Sequence, residues 1–172
     1  MRAMRSALFA CAMACVAGCS VKVDEVKADA SRLAAPANVR LACAHRLHDV
    51  VDARASTERA GGLGSHLFLF DDLPAIVRGQ FAAAGLDARG DGPAVDVGIL
   101  QFYLAQNTLT KVPVAVYEVR VAGGAPFTVR AQRASMNWNG TQNEAYAAYA
   151  SALADATAQV VSRLNADCPK PE

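Results

Sequence analysis

Charge of one sign is the first thing this sequence lacks. Its 17 lysines and arginines face 16 aspartates and glutamates, a formal net charge of +1, and no segment concentrates the basic residues. Nucleic acid and a polybasic membrane patch are therefore not expected. Catalytic signatures are lacking too. No His-Glu-x-x-His or similar zinc spacing occurs, and no Gly-x-Ser-x-Gly elbow offers a serine nucleophile. Gly61-Gly62-Leu63-Gly64-Ser65 is glycine-rich like a phosphate loop, but no lysine follows to reach a phosphate. Neither a cofactor nor a metal is expected, and an enzyme is the weakest of the functional classes. Internal repeats and low-complexity tracts are also missing, so one domain with a real core is predicted.

An uncharged, alanine-rich run lies at the start. Arg2 and Arg5 precede Ser6 to Gly18, 13 residues without a charge and rich in alanine. These are the n-region and h-region of a secretory signal, shorter than the about 20 apolar residues that a bilayer span needs. The run ends in Val16-Ala17-Gly18-Cys19, which resembles the bacterial lipobox, where small residues precede a cysteine. That resemblance implies cleavage after residue 18 and lipid, palmitate included, on Cys19. Ser20 stands where an aspartate would retain such a protein in the inner membrane of enteric bacteria. The expected address is thus the outer membrane, lipid-anchored and facing the periplasm. One acyl chain binds only reversibly at about 0.8 kcal/mol per buried methylene, whereas two or three hold durably. Without Arg2 and Arg5 the 17 basic residues become 15 against 16 acidic ones, a net charge of −1.

Cysteine is scarce in what remains. Of five cysteines, Cys11 and Cys15 leave with the signal and Cys19 takes the lipid, so Cys43 and Cys168 stand alone. In an oxidising periplasm, two cysteines in a small exported domain read as one disulfide. It would close a loop of about 125 residues and contribute about 4–5 kcal/mol in chain-entropy terms. The alternative is two unrelated thiols, because spacing does not say whether the Cβ atoms meet.

Residues 19–38 are expected to form the lipidated N-terminus and a flexible tether reaching about 25 Å, with a short alanine-rich helix over Val21 to Leu33 as the alternative. A single periplasmic α+β domain is expected over 39–172. Val39, Leu41 and Cys43 alternate with Arg40 and Ala42, and Val50-Val51 continue an extended reading. Asp49 to Gly64 reads as a loop and His66 to Phe70 as a short strand. Asp71 or Asp72 can cap a helix with Pro74 in its first turn, which carries Leu73, Ile76, Val77, Phe81 and Ala84 at helical spacing and closes at Gly85.

Three strands follow in the pattern. Val95, Val97 and Ile99 give way to Leu100, Phe102 and Leu104 on the opposite parity, which implies a bulge or burial on both faces. Val112, Val114 and Val116 shift likewise to Tyr117, Val119 and Val121. Gly123-Gly124 turns the chain, Phe127 to Trp138 alternates again, and Asn139-Gly140 ends the strand. Thr141-Gln142-Asn143-Glu144 matches a capping box. It opens a long helix with Tyr146, Tyr149, Leu153, Ala156, Val160 and Leu164 on one face. The expected order is β-α-β-β-β-α: an α+β two-layer sandwich, two helices on a mostly antiparallel sheet of about four strands.

This order resembles the YajG-like family of bacterial outer-membrane lipoproteins and, more distantly, the auxiliary lipoproteins of ABC transporters. Four features carry the likeness: the lipobox ending at Cys19; Val50-Val51-Asp52-Ala53-Arg54 before a glycine-containing loop; a helix ending in Ala84-Gly85-Leu86 before a valine-rich strand; and an Asn-Gly turn before a long helix ending near Asp167. Cys43, Cys168 and the proline-containing C-terminus depart from it. The resemblance implies a non-catalytic accessory domain anchored at the outer membrane.

Few residues suggest a site. His45 and His48 lie three apart in a strand reading, which sends them to opposite faces and argues against a metal pair. Cys43 and His45 share a parity, but a nucleophile pair is disfavoured where a partner thiol is available. Asp52 and Arg54 share strand parity and either fix the following loop or contact a ligand. Trp138, Tyr146 and Tyr149 are core packing or a partner-binding aromatic patch. Two functions of different class follow. One is a tethered domain that binds an envelope protein partner through a sheet face or edge. The other is a lipid- or amphiphile-binding component of an envelope transport system, with the ligand held between helices and sheet.

Overall fold

The structure, a computed structural model, describes residues 22–33, 38–57 and 59–169. The expected signal and the lipidation residue Cys19 lie outside them. At the centre, β5 (Ala94–Gln106) and β6 (Thr110–Val121) form a long antiparallel hairpin. Its tip is tied by Asn107, whose Oδ1 accepts from the Leu109 and Thr110 amides at 3.0 and 2.7 Å. Along the far side of β6 run β7 (Phe127–Gln132) and β8 (Ser135–Met136), both antiparallel to it.

The other side of β5 is shared. β2 (Arg46–Asp52) pairs with its first half in parallel, and β3 (Arg59–Leu63) meets it further along, with Gly61 opposite Leu104. β4 (His66–Leu69) is antiparallel to β3, and β1 (Asp24–Lys27) lies parallel to β4 at the edge. The result is an α+β fold with an open, mixed sheet of eight strands. It corrects the expected count of about four strands; antiparallel pairings still outnumber parallel ones. Two helices, α1 (Leu73–Ala83) and α2 (Gln142–Ala166), complete the core with it and touch each other.

The missed strands have physical reasons. Asp49 to Gly64 is no single loop: β2 runs through Asp52, and β3 follows after a short turn. Gly61 hides β3 from sequence reading, and it is also what makes that strand fit. Its φ is +72°, and a Cβ there would sit 2.2 Å from the Leu104 carbonyl oxygen, so only glycine lets β3 approach β5 so closely. The expected tether is also corrected over its described part, 22–33. β1 joins the sheet and a 3-10 turn over Ala30–Leu33 packs on α2, with Leu33 fully buried. Polar β1 suits a short edge strand, where charge is the usual composition.

Val39 to Cys43 alternates without forming a strand. Asn165 near the end of α2 brackets this segment, accepting from the Ala42 amide at 2.8 Å and donating to the Arg40 carbonyl at 2.9 Å. Cys43 is disulfide-bonded to Cys168 at the same place. The alternation is thus used to line a helix end, and the strand starts only at Arg46.

Both parity shifts resolve differently. In β5 the register slips between Ile99 and Gln101, so Leu100 is the bulged residue and is 38% exposed. In β6 no slip occurs. Val119, Tyr117 and Ala115 face the core, while Val114 and Val116 are buried on the opposite face. Arg130 of β7 donates to Gln101 of β5 at 3.1 Å, passing over Val116, its register partner.

Both helix starts are as the sequence reads. Asp72 caps α1 by accepting from the Ala75 amide at 2.9 Å, and Thr141 with Glu144 forms a complete capping box on α2. Between helices and sheet, Tyr149 sits among Phe68, Phe70 and Phe102 at ring-centroid distances of 5.3, 5.2 and 5.3 Å.

Candidate functional site

Asp52 closes β2, and Arg54 turns back onto it. The Arg54 side chain is only 4% exposed. It donates to Asp52 through Nε and Nη2 at 2.8 and 2.7 Å, and to the Thr57 carbonyl at 2.8 Å. Its Nη1 faces the Phe102 carbonyl at 3.5 Å. One guanidinium thereby fixes the turn between β2 and β3 and ties it to β5. These bonds hold the Asp52 carboxyl below the usual carboxylate range, against the opposing effect of its own burial. Asp52 also lines a cleft of about 640 Å³ with Glu25, Arg59, Asp71 and Asp72. Its other charged groups are engaged as well: Arg59 meets Glu25 at 3.6 Å, Lys27 meets Asp71 at 3.4 Å, and Asp72 caps α1. Four of the five Arg54 N–H donors are already taken within the protein.

The aromatic trio separates. Tyr149 is fully buried, and its hydroxyl donates to the Ala60 carbonyl at 2.7 Å. Burial pushes that hydroxyl's pKa up. Tyr146 accepts from the Asp29 amide at 2.9 Å, and the Arg32 guanidinium lies 3.6 Å above its ring. Both tyrosines serve packing, one in the core and one clamping the N-terminal segment. Trp138 alone is at the surface, 75% exposed. A patch made of all three is therefore corrected to a single exposed tryptophan.

The histidines are apart. His48 is exposed and bonded to Asp96 at 2.7 Å, while His45 is buried beside the disulfide, with Nδ1 3.4 Å from the Cys43 carbonyl oxygen. The Cys43 sulfur is already in the disulfide, which leaves no thiol for a nucleophile pair. Among the described residues, no group of three His, Cys, Asp or Glu side chains is placed to hold a metal. No helix among them is long and apolar enough to cross a membrane.

One open edge of the sheet is β7, as β1 is at the other end of the row. β7 ends the row of paired strands, and among the described residues its outer side carries no strand partner. Gln159 of α2 reaches round to donate to the Arg130 carbonyl at 3.1 Å. That carbonyl therefore points away from β6, and antiparallel alternation turns Thr128 and Gln132 the same way. Beside the edge, β7 and the second half of α2 enclose a groove of about 780 Å³. Phe127, Val129, Ala158 and Ala166 give it apolar walls, and Arg133 and Asp155 stand at its rim. Sequence alternation marks β7 as a strand, but only the order of strands shows that it lies at an edge.

Fold and site together define a class: an α+β domain with two helices, a large open mixed sheet and a disulfide, whose β7 edge is unpaired among the described residues. No family model matches the chain, and no curated protein matches it. Among solved structures, an uncharacterized protein is similar with a TM-score of 0.51 at 11% identity, over 83% of this chain and 99% of that one. A Xanthomonas campestris protein of the family DUF330 aligns over 82% of this chain and 92% of its own at 17% identity, with a TM-score of 0.37. The first similarity is one of fold; the second score is too low to carry an argument.

Proposed function

We propose that this protein is a non-catalytic accessory lipoprotein, held at the outer membrane by lipid on Cys19 and facing the periplasm, that binds an envelope protein through β7. The open β7 edge beside its groove is the observation that carries the reading. An extended segment can add to such an edge through main-chain hydrogen bonds, with alternate side chains entering the groove. The lipobox supports the anchor, and the short motifs shared with the YajG-like lipoproteins support the class. Neither fold neighbour contributes a function.

The competing reading, an amphiphile held between helices and sheet, is less well supported. Phe68, Phe81, Phe102, Tyr117 and Tyr149 fill that interior with almost no exposure. A lipid there would have to displace packed aromatic rings.

The test is photo-crosslinking in cells from single positions on the lipidated protein. Thr128 and Arg133 should give one shared protein adduct, while exposed Val51, on β2 across β5, should not. Thr128→Pro removes one outward amide from an edge strand that tolerates proline, and should abolish the adduct while leaving the fold intact. Equal adducts from all positions, or none from β7, would refute the edge as the binding site.

A further inference from the structure

We infer that the end of the domain bearing the Leu109 hairpin tip and Trp138 rests in the membrane interface, so that the anchor sets an orientation as well as an address. The inference rests on lipidation at Cys19. It starts from three large apolar side chains left in solvent at one place: Trp138 at 75%, Leu109 at 67% and Met136 at 53% exposure. The Asn137 amide donates to the Leu109 carbonyl at 2.9 Å, which joins the hairpin tip to the stretch through β8. Exposed apolar residues grouped like this mark an interaction surface.

The group is held out by structure. Glu144, at the start of α2, accepts from the Trp138 and Asn139 amides, both at 3.1 Å, and from Lys111 at 3.3 Å. Lys111 in turn bonds to the Met136 carbonyl. A largely buried ion pair thus fixes the backbone from Met136 to Asn139 and leaves the side chains in water.

The occupant is indicated by what lies beside the start of β1 and by how near Cys19 is to it in sequence. The Asp24 amide donates to the Ser65 carbonyl at 2.8 Å, and the Gly64 amide donates to Gln106 at 2.6 Å. Gly64 also abuts Gly140, whose α-carbon lies 3.4 Å from where a Gly64 Cβ would stand. The start of β1, the β3–β4 turn, the end of β5 and the Trp138 loop are therefore neighbours at one end of the sheet. Only three residue steps separate Lys22 from Cys19, a reach of at most about 10 Å. Acyl chains on Cys19 would hold this end against the bilayer.

Composition agrees. Asn107 to Thr110, Met136 to Thr141, and Gly64-Ser65 contain no charged residue. Uncharged loops tipped with Trp, Leu and Met suit the headgroup boundary, where tryptophan is enriched and apolar groups enter by about 5–10 Å.

Trp138 is the only tryptophan in the chain, so its emission reports on this surface alone. The acylated full-length protein is reconstituted in phosphatidylethanolamine–phosphatidylglycerol vesicles, with some lipid brominated near the headgroup end of its chains. Expected are a blue shift, quenching by the brominated lipid and shielding from iodide, all weakened in Leu109→Ser/Met136→Ser. Vesicle-bound protein whose Trp138 stays open to iodide and unquenched by bromine would overturn the orientation while leaving the anchor standing. A protein partner would then be the occupant of the patch. Absence of palmitate on the protein would overturn both.

Discussion

Removal of Arg54 is the sharpest perturbation of the loop between β2 and β3. Methionine keeps the apolar stem and removes the charge. Lost are two bonds to Asp52 at 2.8 and 2.7 Å and one to the Thr57 carbonyl at 2.8 Å. Breaking one partner of a buried ion pair costs about 3–5 kcal/mol, chiefly because the other charge is left behind. Asp52 is 17% exposed and can regain some hydration, so the lower end, about 3 kcal/mol, is expected. For a domain of this size that lowers Tm by about 10 °C.

Urea unfolding followed by far-ultraviolet circular dichroism measures this directly, with an unchanged m-value showing that only stability moved. Asp52→Asn/Arg54→Met should be less destabilised than Arg54→Met alone, because no uncompensated charge remains. The pH dependence gives a second check. The folded-state pKa of Asp52 is depressed, chiefly by its bonds to Arg54. Its contribution is therefore present above the unfolded value and is lost as pH falls through the folded one. In Arg54→Met that acid-range loss should shrink. A destabilisation below about 1 kcal/mol, the size of an ordinary surface pair, would refute the view that this guanidinium holds the loop.

Other parts of the fold make equally definite demands. Glu144 accepts from the Thr141 amide, the largest of several effects that lower its carboxyl pKa from 4.5 to about 2. Its stabilisation is thus present above about pH 4.5 and lost as pH falls toward 2, so Glu144→Gln should be less stable at neutral pH and converge with the parent in acid denaturation curves. Cys43→Ala/Cys168→Ala removes a closure between residues 125 apart and should lower stability by about 2–5 kcal/mol in urea titrations; an unchanged midpoint would mean that Asn165 alone holds this end. Gly61→Ala combines φ +72° with a Cβ 2.2 Å from Leu104 O, so at least about 1–3 kcal/mol should be lost, with faster amide exchange confined to β3 and its neighbours.

What could be read from the sequence was local. The capping box at Thr141 and Glu144, the Asp72 cap and the Gly85 stop are each written in a few adjacent residues, and their physics closes within one helical turn. The Leu100 bulge shows as a change of parity. The sheet's extent was not readable in this way, because β1 and β3 depend on distant partners. β3 exists because Gly61 lets two backbones approach, and glycine in a sequence reads first as a turn. β1 is a strand because β4 offers it an edge. Cys43 and Cys168 were paired by counting, with compartment as the warrant. The sites were least legible. Tyr146 and Tyr149 share a helical face with the core residues and are buried there, whereas Trp138 stands outside it and is exposed. Nothing in Phe127 to Gln132 says that no strand lies beyond.

That β1 belongs to the sheet changes what the anchor can do. A tether over residues 19–38 would leave the domain free to tumble above the bilayer, whereas with the proposed lipid on Cys19 the three steps before Lys22 would hold one end against it. Effective concentration falls with about the −3/2 power of linker length. Inserting about 20 glycine and serine residues between Cys19 and Lys22 should thus lower the local concentration of the Trp138 surface at the membrane about twentyfold. In acylated, vesicle-bound protein the insertion should expose Trp138 to iodide without releasing the protein. Unchanged shielding would mean that the patch holds the membrane by its own apolar area, or is covered by something else. Orientation matters for the proposed partner as well. α2 has 25 residues, about 37 Å of helix. It starts beside Trp138 and ends beside the disulfide, where Phe127 and Ala166 line the far part of the groove. With the Trp138 end on the membrane, the open edge of β7 leads away from the bilayer into the periplasm, where an envelope partner can reach it.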